Sequence, residues 1–273
     1  TAVVADNALG AAASSGGSFS SKPADDMFAE GYEPVLDGKG NWAVDVPDPV
    51  ASIDGTKYPS VQAAIDDAAE GQTVALLSPV AENIAVPAGK NIVLDLSGRT
   101  LSVDEPVKVT GSLTVEDSSV SGKPIVSDDY ETVTYASGKI VNTLDSREAN
   151  AVTVMVTDGG AFTLKSGTIE SIKNYTVGVY GSTTPGADPI ESKVFIEGGY
   201  QIGPEGGPGV FGNGAYLKVS DGVIVGTDNA AVAGNGTNDA STTYGGTAID
   251  IVGGTIIGHN VSSGYIACGI YHP

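Results

Sequence analysis

The feature that most constrains this chain is a short motif that returns four times in its C-terminal half. In each copy, large apolar residues stand five and three positions before a glycine. The four glycines are Gly167, Gly199, Gly222 and Gly254, with spacings of 32, 23 and 32 residues. Three copies carry isoleucine two positions after the glycine, and in the second we assign this position to Ile202. The motif predicts a strand that turns a corner at the glycine, once in each repeating unit.

The repeat interval separates the candidate architectures. A hairpin array has turn signals roughly every 8–12 residues but does not return one motif at a longer interval. Leucine-rich and ankyrin-type stacks need helical segments between repeats, and no helix-period pattern lies there. We therefore predict an all-β chain folded as a right-handed parallel β-helix, a solenoid of stacked coils. The unequal spacings predict loops inserted at residues 183–188 and 235–243.

Composition agrees with many short strands and narrows the partners. Glycine accounts for 38 of 273 residues, about twice its usual share of roughly 7%. The chain has 13 Lys and Arg against 33 Asp and Glu, a net charge of −20. Such a surface repels nucleic acid, and no stretch approaches the ~20 apolar residues of a membrane span. We expect no nucleic-acid partner, no membrane insertion and a monomer.

Upstream of the repeats the pattern predicts one helix. Val61, Ala64 and Ile65 share a helical face, with Ser60 as N-cap and Gly71 as the C-terminal stop. This apolar face needs a surface to cover, so we predict a helix at residues 60–70 that caps the open end of the β-helix. Short strands follow from residue 74 to 115, and the looser pattern of residues 121–147 predicts an excursion.

The first 50 residues form a segment of their own. Residues 32–35 and 41–44 flank a glycine turn and predict a hairpin, followed by a linker that contains Pro47 and Pro49. Residues 15–19 echo the corner motif, which suggests the last corner of a preceding copy. We assign residues 1–50 to an N-terminal segment that closes a preceding module. Residues 51–273 are assigned to the β-helix, with both chain ends cut from a longer protein.

The sequence also resembles a known group of proteins. The run IDGTKYPSVQAAIDDA at residues 53–68 is similar to the opening of pectate-lyase-like β-helix modules in large surface proteins of Gram-positive and actinobacterial bacteria. GQTVALL at residues 71–77, GKNIVLDLSG at 89–98 and the corner GGTI at 253–256 fit the same group. SGGSF at 15–19, AEGY at 29–32 and the hairpin at Trp42 resemble the segment that closes such modules.

The resemblance implies an extracellular place at the bacterial cell surface or wall. It also implies a non-catalytic, adhesin-like scaffold or ligand-binding stalk. The expected partner is a glycan or protein ligand on a host or neighbouring cell.

A carbohydrate-active enzyme, either a polysaccharide lyase or a glycoside hydrolase, is the alternative function. Hydrolysis of sugars needs paired carboxylates on one outer face. Alignment on the corner glycines predicts two outward columns, Thr163, Phe195, Lys218 and Asp250 in one and Lys165, Glu197, Ser220 and Val252 in the other. Neither column stacks acids. We therefore interpret Glu197 and Asp250 as solvated single carboxylates and predict no catalytic residue.

Other reactive side chains have plain structural interpretations. Cys268 is flanked by small and apolar residues and is expected to be a buried thiol. His259 and His272 lie in no triad pattern. Arg99 is expected in a turn and Arg147 in a solvated loop.

Two weaker signals complete the candidate sites. The acidic run at residues 128–131 lacks the ligand spacing of a known calcium loop, so we predict no metal site and no cofactor, with Ca²⁺ at this run as the alternative. Tyrosines in or near predicted loops leave sugar binding open without identifying ligand-binding residues; these are Tyr130, Tyr135, Tyr175, Tyr180 and Tyr244. The Asn-x-Ser/Thr matches at Asn174, Asn235 and Asn260 carry no functional weight in a bacterial protein.

Overall fold

Short strands that pair mostly in parallel make up the body of the protein. The structure, a computed structural model, describes residues 17–24, 27–28, 30–181, 191–205, 207–234, 246–261 and 267–272. The predicted inserted loops at 183–188 and 235–243 lie outside these residues, as do Asn235 and Tyr244. In the described part, no helix is long and apolar enough to cross a membrane.

The N-terminal segment is a small antiparallel sheet. Its strands are β1 (Ser18–Phe19), β2 (Glu33–Leu36) and β3 (Trp42–Asp45), in the order β1-β3-β2. The predicted hairpin of β2 and β3 is confirmed. Of the expected corner at residues 15–19, residues 17–19 are described, and there Ser18 pairs antiparallel with Ala43, so β1 joins this sheet. A glycine with positive φ also starts antiparallel edge strands, so the echo at Gly17 was not specific.

Next comes a short connecting region and the first complete set of strands. The elements are β4 (Ala51–Ile53), β5 (Thr56–Tyr58), α1 (Val61–Asp67), β6 (Thr73–Leu76), β7 (Val80–Ala81), β8 (Ala85–Val86), β9 (Asn91–Asp95), β10 (Thr100–Val103), β11 (Val107–Val109) and β12 (Ser112–Glu116). The hairpin of β4 and β5 pairs antiparallel with β6, and from β6 onward the body strands pair in parallel.

The remaining elements repeat this set with two departures. They are β13 (Ile125–Val126), β14 (Val133–Thr134), β15 (Lys139–Asn142), a 3₁₀ turn (Ala149–Ala151), β16 (Val154–Val156), β17 (Ala161–Leu164), β18 (Thr168–Ser171), β19 (Val177–Tyr180), β20 (Lys193–Glu205), β21 (Val210–Asn213), β22 (Tyr216–Thr227), β23 (Ala230–Gly234), β24 (Ala248–Ile251), β25 (Thr255–His259) and β26 (Cys268–Tyr271). The β13–β14 pair is an antiparallel hairpin inside the predicted excursion. β15 is a body strand that the loose pattern of residues 121–147 did not reveal.

The body strands fall into three parallel columns that the chain visits in turn. The first column is β6, β9, β12, β17, the first part of β20, the first part of β22, and β24. The second is β7, β10, β15, β18, the later parts of β20 and β22, and β25. The third is β8, β11, β16, β19, β21, β23 and β26. An all-β fold with long parallel sheets is thereby confirmed.

The corner motif behaves as its residue types predict. All four aligned glycines have positive φ, between +72° at Gly199 and +89° at Gly167, a region that side chains disfavour. A Cβ atom at Gly222 would lie 2.5 Å from the carbonyl oxygen of Gly198. One visit of the chain to all three columns is here called a pass. At Gly199 and Gly222 the corners of neighbouring passes approach so closely that only glycine fits.

Apolar side chains of the strands form one continuous core. The residues five and three positions before the glycine are fully buried in the first three copies, and they are Phe162, Leu164, Val194, Ile196, Leu217 and Val219. In the fourth copy the burial is incomplete, and Ile251 in β24 is 36% exposed. No described first-column strand covers that side of β24.

One residue of the motif was assigned wrongly. Gln201, not Ile202, lies in register with Ile169 and Ile224, and its side chain is fully buried. Ile202 pairs with Glu170 and points to the opposite face. We assigned the position by apolarity, whereas the two-residue strand alternation places an amide inside the apolar stack.

The predicted helix is confirmed, but it spans Val61–Asp67 with Ala68 as its C-cap, so it ends before the predicted residue 70 and the predicted stop at Gly71. The hydroxyl of Ser60 accepts a hydrogen bond from the Ala63 amide at 3.0 Å and starts α1 as its N-cap. Its buried face lies over β4, β5 and β6. The helix therefore covers the end of the core next to the first pass.

Side chains also fasten α1 to the first and second passes. The carboxylate of Glu82 accepts from the amides of Val61 at 2.7 Å and Gln62 at 2.8 Å. The Gln62 side chain in turn bonds both backbone groups of Ala85, and the Lys90 ammonium bonds carbonyls at the C-terminal end of the helix. These hydrogen bonds therefore give partners to backbone groups at both ends of α1 and to the backbone of Ala85 in β8.

Candidate functional site

Charged side chains lie next to one another where successive strands of the first column end. Asp95 pairs with Glu116, and Glu197 pairs with Asp221. Lys165 lies between these pairs, one residue after Leu164, which is in register with Val115 and Ile196. These five residues, here called the charged row, occupy successive strands about 4.8 Å apart.

The structure corrects the expectation that Glu197 is a single carboxylate. Alignment on the corner glycines placed Ser220 opposite it, but a register shift after Ile196 places Asp221 there. Asp95 and Glu116 extend the row on strands that the four-copy alignment did not include. Asp250 lies elsewhere, and its carboxylate accepts a hydrogen bond from the Tyr216 hydroxyl at 2.7 Å.

The row begins with a carboxylate that has a structural role. Asp95 is 8% exposed and accepts hydrogen bonds at 2.9 Å from the backbone amides of Ser97 and Ser118. Burial favours the neutral acid, but the hydrogen bonds from Ser118 and Ser97 outweigh it and hold the pKa of Asp95 below its usual value. Asp95 is therefore ionised and stabilises the corners of two passes.

Asp117, next in sequence to the row, anchors a long excursion. Its carboxylate is 3% exposed and accepts from the amides of Gly98 at 2.9 Å, Ser119 at 3.0 Å and Gly138, and from the Ser119 hydroxyl at 2.6 Å. The excursion, residues 118–138 and here called the strap, contains the β13–β14 hairpin. One buried carboxylate therefore holds both of its ends against the preceding corner.

Three contacts with residues far away in the sequence hold the strap against later passes. The Lys123 ammonium forms an ion pair with Asp221, and the Tyr135 hydroxyl accepts from the amide of Gly167 at 3.4 Å. Near the hairpin tip, Glu131 lies 2.8 Å from the imidazole of His259 in β25. The strap thus runs along the body from the third pass to the last described one.

A cleft of about 180 Å³ lies between the strap and the charged row. Lys123 and Tyr135 line it from the strap, and Lys165, Glu197 and Asp221 line it from the row. Burial and the charge of Asp117 raise the pKa of Tyr135 despite the hydrogen bond from Gly167, so its hydroxyl stays protonated. The cleft therefore places a protonated phenol beside two lysines and two carboxylates.

A second hollow, of about 240 Å³, lies beside β7 and β10. Asn83 and Asp104 face each other there, with their side chains hydrogen-bonded at 2.6 Å, and Glu82 already caps α1. These polar groups satisfy one another, so the cleft under the strap is the stronger candidate site.

The other predicted site residues are dispersed. Cys268 is half-buried in β26 instead of fully buried, because β26 is the last described strand of the third column. His272 contacts the carbonyl of Thr247 at 2.8 Å. Arg99 lies in the predicted turn, where its amide donates to the Leu96 carbonyl, and Arg147 is exposed as expected.

The acidic run at residues 128–131 is used inside the strap. Asp129 accepts from the Ser127 hydroxyl at 2.6 Å and the Glu131 amide at 3.1 Å. These bonds lower the pKa of Asp129. Within the described ranges, no group of three or more His, Cys, Asp or Glu is placed to hold a metal ion.

The remaining candidates divide between exposed and packed positions. Tyr130 is 59% exposed at the hairpin tip, while Tyr175 and Tyr180 pack against Phe211 at 5.0 and 6.2 Å between ring centroids. Asn174 is buried and donates to the carbonyls of Arg147 and Glu148. Of the described tyrosines singled out from the sequence, Tyr135 is the one that reaches the cleft.

Comparison with known proteins adds no identity: no family model matches the sequence, and no curated protein or solved structure is significantly similar to it.

Proposed function

We propose that this chain is a right-handed parallel β-helix that serves as a non-catalytic, adhesin-like module at the bacterial cell surface. The observation that carries the proposal is the repeated three-column pairing, in which the strands of each pass pair in parallel with those of the previous one. Strands β20 and β22 continue from the first column into the second. Such stacking produces a rigid rod whose length grows with the number of passes.

The surface of the rod supports a role in ligand display. Its net charge of −20 favours solubility of an exposed protein. The strap lays a hairpin and a cleft over an otherwise regular face, as loops on rigid scaffolds do at binding sites. The proposed partner is a glycan or protein ligand of a host or neighbouring cell, bound by a monomer in the extracellular space.

The resemblance to pectate-lyase-like surface modules motivates the cellular setting. The proposal includes no cofactor, and Ca²⁺ at the acidic run stays an alternative that a binding assay can test. The test is an array of host and plant glycans and matrix proteins, read with and without Ca²⁺, with a parallel assay for polysaccharide cleavage.

Selective binding without cleavage is the expected result. Binding that requires Ca²⁺ would place a metal in ligand recognition, whereas cleavage of a polysaccharide would overturn the non-catalytic assignment. A chain that binds nothing on the array would contradict the display function itself.

One observation favours a second candidate, a carbohydrate-active enzyme. Glu197 and Asp221 lie opposite each other on neighbouring strands and line one cleft, and glycosidases use two carboxylates that flank the bond. The hydrogen bond from Lys123 and that from Gly222 lower the pKa of Asp221, which suits a base or nucleophile better than an acid. If cleavage is found, loss of activity in both Glu197→Gln and Asp221→Asn is the result this candidate requires.

A further inference from the structure

We propose that the cleft under the strap binds a single ring of an uncharged saccharide. This inference rests on the proposed display function and adds the location of the site and the chemical class of its ligand. It is supported by the charge balance of the cleft, by two side chains that have no partner among the described residues, and by the shape of the floor and wall.

The charge balance of the cleft favours a neutral ligand. Lys123 and Lys165 face Glu197 and Asp221 there, so the four groups sum to zero in a chain of −20. A polyanion is repelled by the two carboxylates and by the negative charge of the whole chain. A cation finds Asp221 already paired with Lys123. Sugar hydroxyls suit such a mixed lining because each donates to a carboxylate and accepts from an ammonium.

Two of these side chains are available to a ligand. Lys165 and Glu197 are exposed and occupy neighbouring positions of the charged row. Among the described residues, neither side chain forms an ion pair or a side-chain hydrogen bond. A hydroxyl between them would accept from one and donate to the other, and hydrogen bonds to charged groups are stronger than neutral ones.

The shape of the cleft suits one ring. Its floor includes Gly198, Gly199 and Gly222. The ring of Tyr135 forms part of the wall, and its hydroxyl is tied to Gly167. Aromatic rings pack well against the apolar face of a sugar. At about 180 Å³, the cleft is smaller than the roughly 300–1,000 Å³ that enclose drug-sized ligands.

Titration of the ¹⁵N-labelled chain with disaccharides tests the proposal by backbone amide shifts. The neutral probes are maltose, cellobiose and lactose, and the charged probes are digalacturonate and the disaccharide of glucosamine. At least one neutral probe is expected to shift the amides of residues 122–123, 165–167 and 197–199, while the charged probes leave them unchanged.

Variants connect these shifts to the proposed contacts. Tyr135→Ala is expected to weaken binding about tenfold through the lost packing, and Glu197→Gln about threefold through the weaker hydrogen bond. Among the described residues, Glu197 forms no hydrogen bond or ion pair with the strap, so a loss in Glu197→Gln points to the ligand contact. Tyr271→Ala and Glu105→Gln, both exposed outside the cleft, serve as matched controls with changes below about twofold.

The outcomes separate this inference from the proposed function. If neutral sugars shift only other surfaces, or charged probes occupy the cleft instead, the cleft assignment is wrong while ligand display survives. Equal weakening in the Tyr271→Ala control would also overturn it. If no neutral sugar shifts any amide, the inference fails, and the proposed function fails only if the array is empty as well.

Discussion

The close stacking of corner glycines leads to a quantitative prediction about Gly222→Ala. A residue with a side chain at φ +87° costs roughly 1–2 kcal/mol. The new Cβ would also lie 2.5 Å from the Gly198 carbonyl oxygen and 2.7 Å from its carbon. Because both atoms belong to the backbone of the preceding corner, the clash requires a backbone shift, and such overpacking costs about 1–3 kcal/mol more.

Gly89→Ala is the matched control. Gly89 has φ +82°, nearly the same conformation, but no atom lies within 4 Å of the Cβ position. Both substitutions reduce the conformational freedom of the unfolded chain equally, which stabilises the folded state by about 0.4–1 kcal/mol. The free energy of unfolding is expected to fall by about 1 kcal/mol in Gly89→Ala and by about 3 kcal/mol in Gly222→Ala.

Urea unfolding followed by circular dichroism measures both variants against the parent chain. The difference between them isolates the close approach of the corners, since their backbone conformations match. Equal losses of stability in the two variants would refute the stacked-corner geometry. A smaller loss in Gly222→Ala than in Gly89→Ala would do so as well.

Three further predictions concern other parts of the fold. Glu82→Ala removes the carboxylate at the start of α1 and is expected to cost about 1–2 kcal/mol, with hydrogen exchange of residues 61–67 rising before that of the body strands. The pKa of Asp95 is lower in the folded chain than in the unfolded chain, so its ionised carboxylate stabilises the fold above the unfolded pKa, and this is lost as pH falls through the folded value. Asp95→Asn should therefore flatten the acid limb of a curve of stability against pH. An unchanged limb would count against this role. Gln201→Leu replaces a buried amide whose nitrogen has no hydrogen-bond partner among the described residues, while its oxygen accepts at 2.9 Å from the Thr176 hydroxyl, which also bonds the Gly209 carbonyl and keeps that partner. Thermal unfolding should show a gain of about 1 kcal/mol, and a loss would mean that the bond from Thr176 outweighs the unpaired nitrogen.

The parts of the fold that the sequence predicted are those set by local chemistry. A glycine with positive φ and apolar residues two apart specify a corner and a buried strand face without reference to distant residues. Gly167 and Gly254 were recognised for this reason. The N-cap Ser60 and the apolar face of α1 are local signals of the same kind.

The candidate site depends on pairing that no local pattern reveals. Asp221 faces Glu197 only because β22 shifts its register by one residue, and a one-residue slip changes which side chains meet. Lys123 reaches Asp221 across 98 residues of sequence. The strap was visible only as a loose pattern, since its position is set by Asp117 and by contacts with later passes.

The stacking of passes at a constant spacing is the central claim, and a distance measurement between spin labels tests it most directly. In a Cys268→Ser background, cysteine pairs are introduced at outward first-column positions: Thr114 with Asp250, Thr73 with Lys218, and Thr73 with Asp250. These pairs are separated by four, five and six strand steps in register. At about 4.8 Å a step, the predicted backbone separations are about 19 Å, about 24 Å and about 29 Å. Distances that rise by one step from pair to pair support the stacked coil, and distances without that order would contradict it.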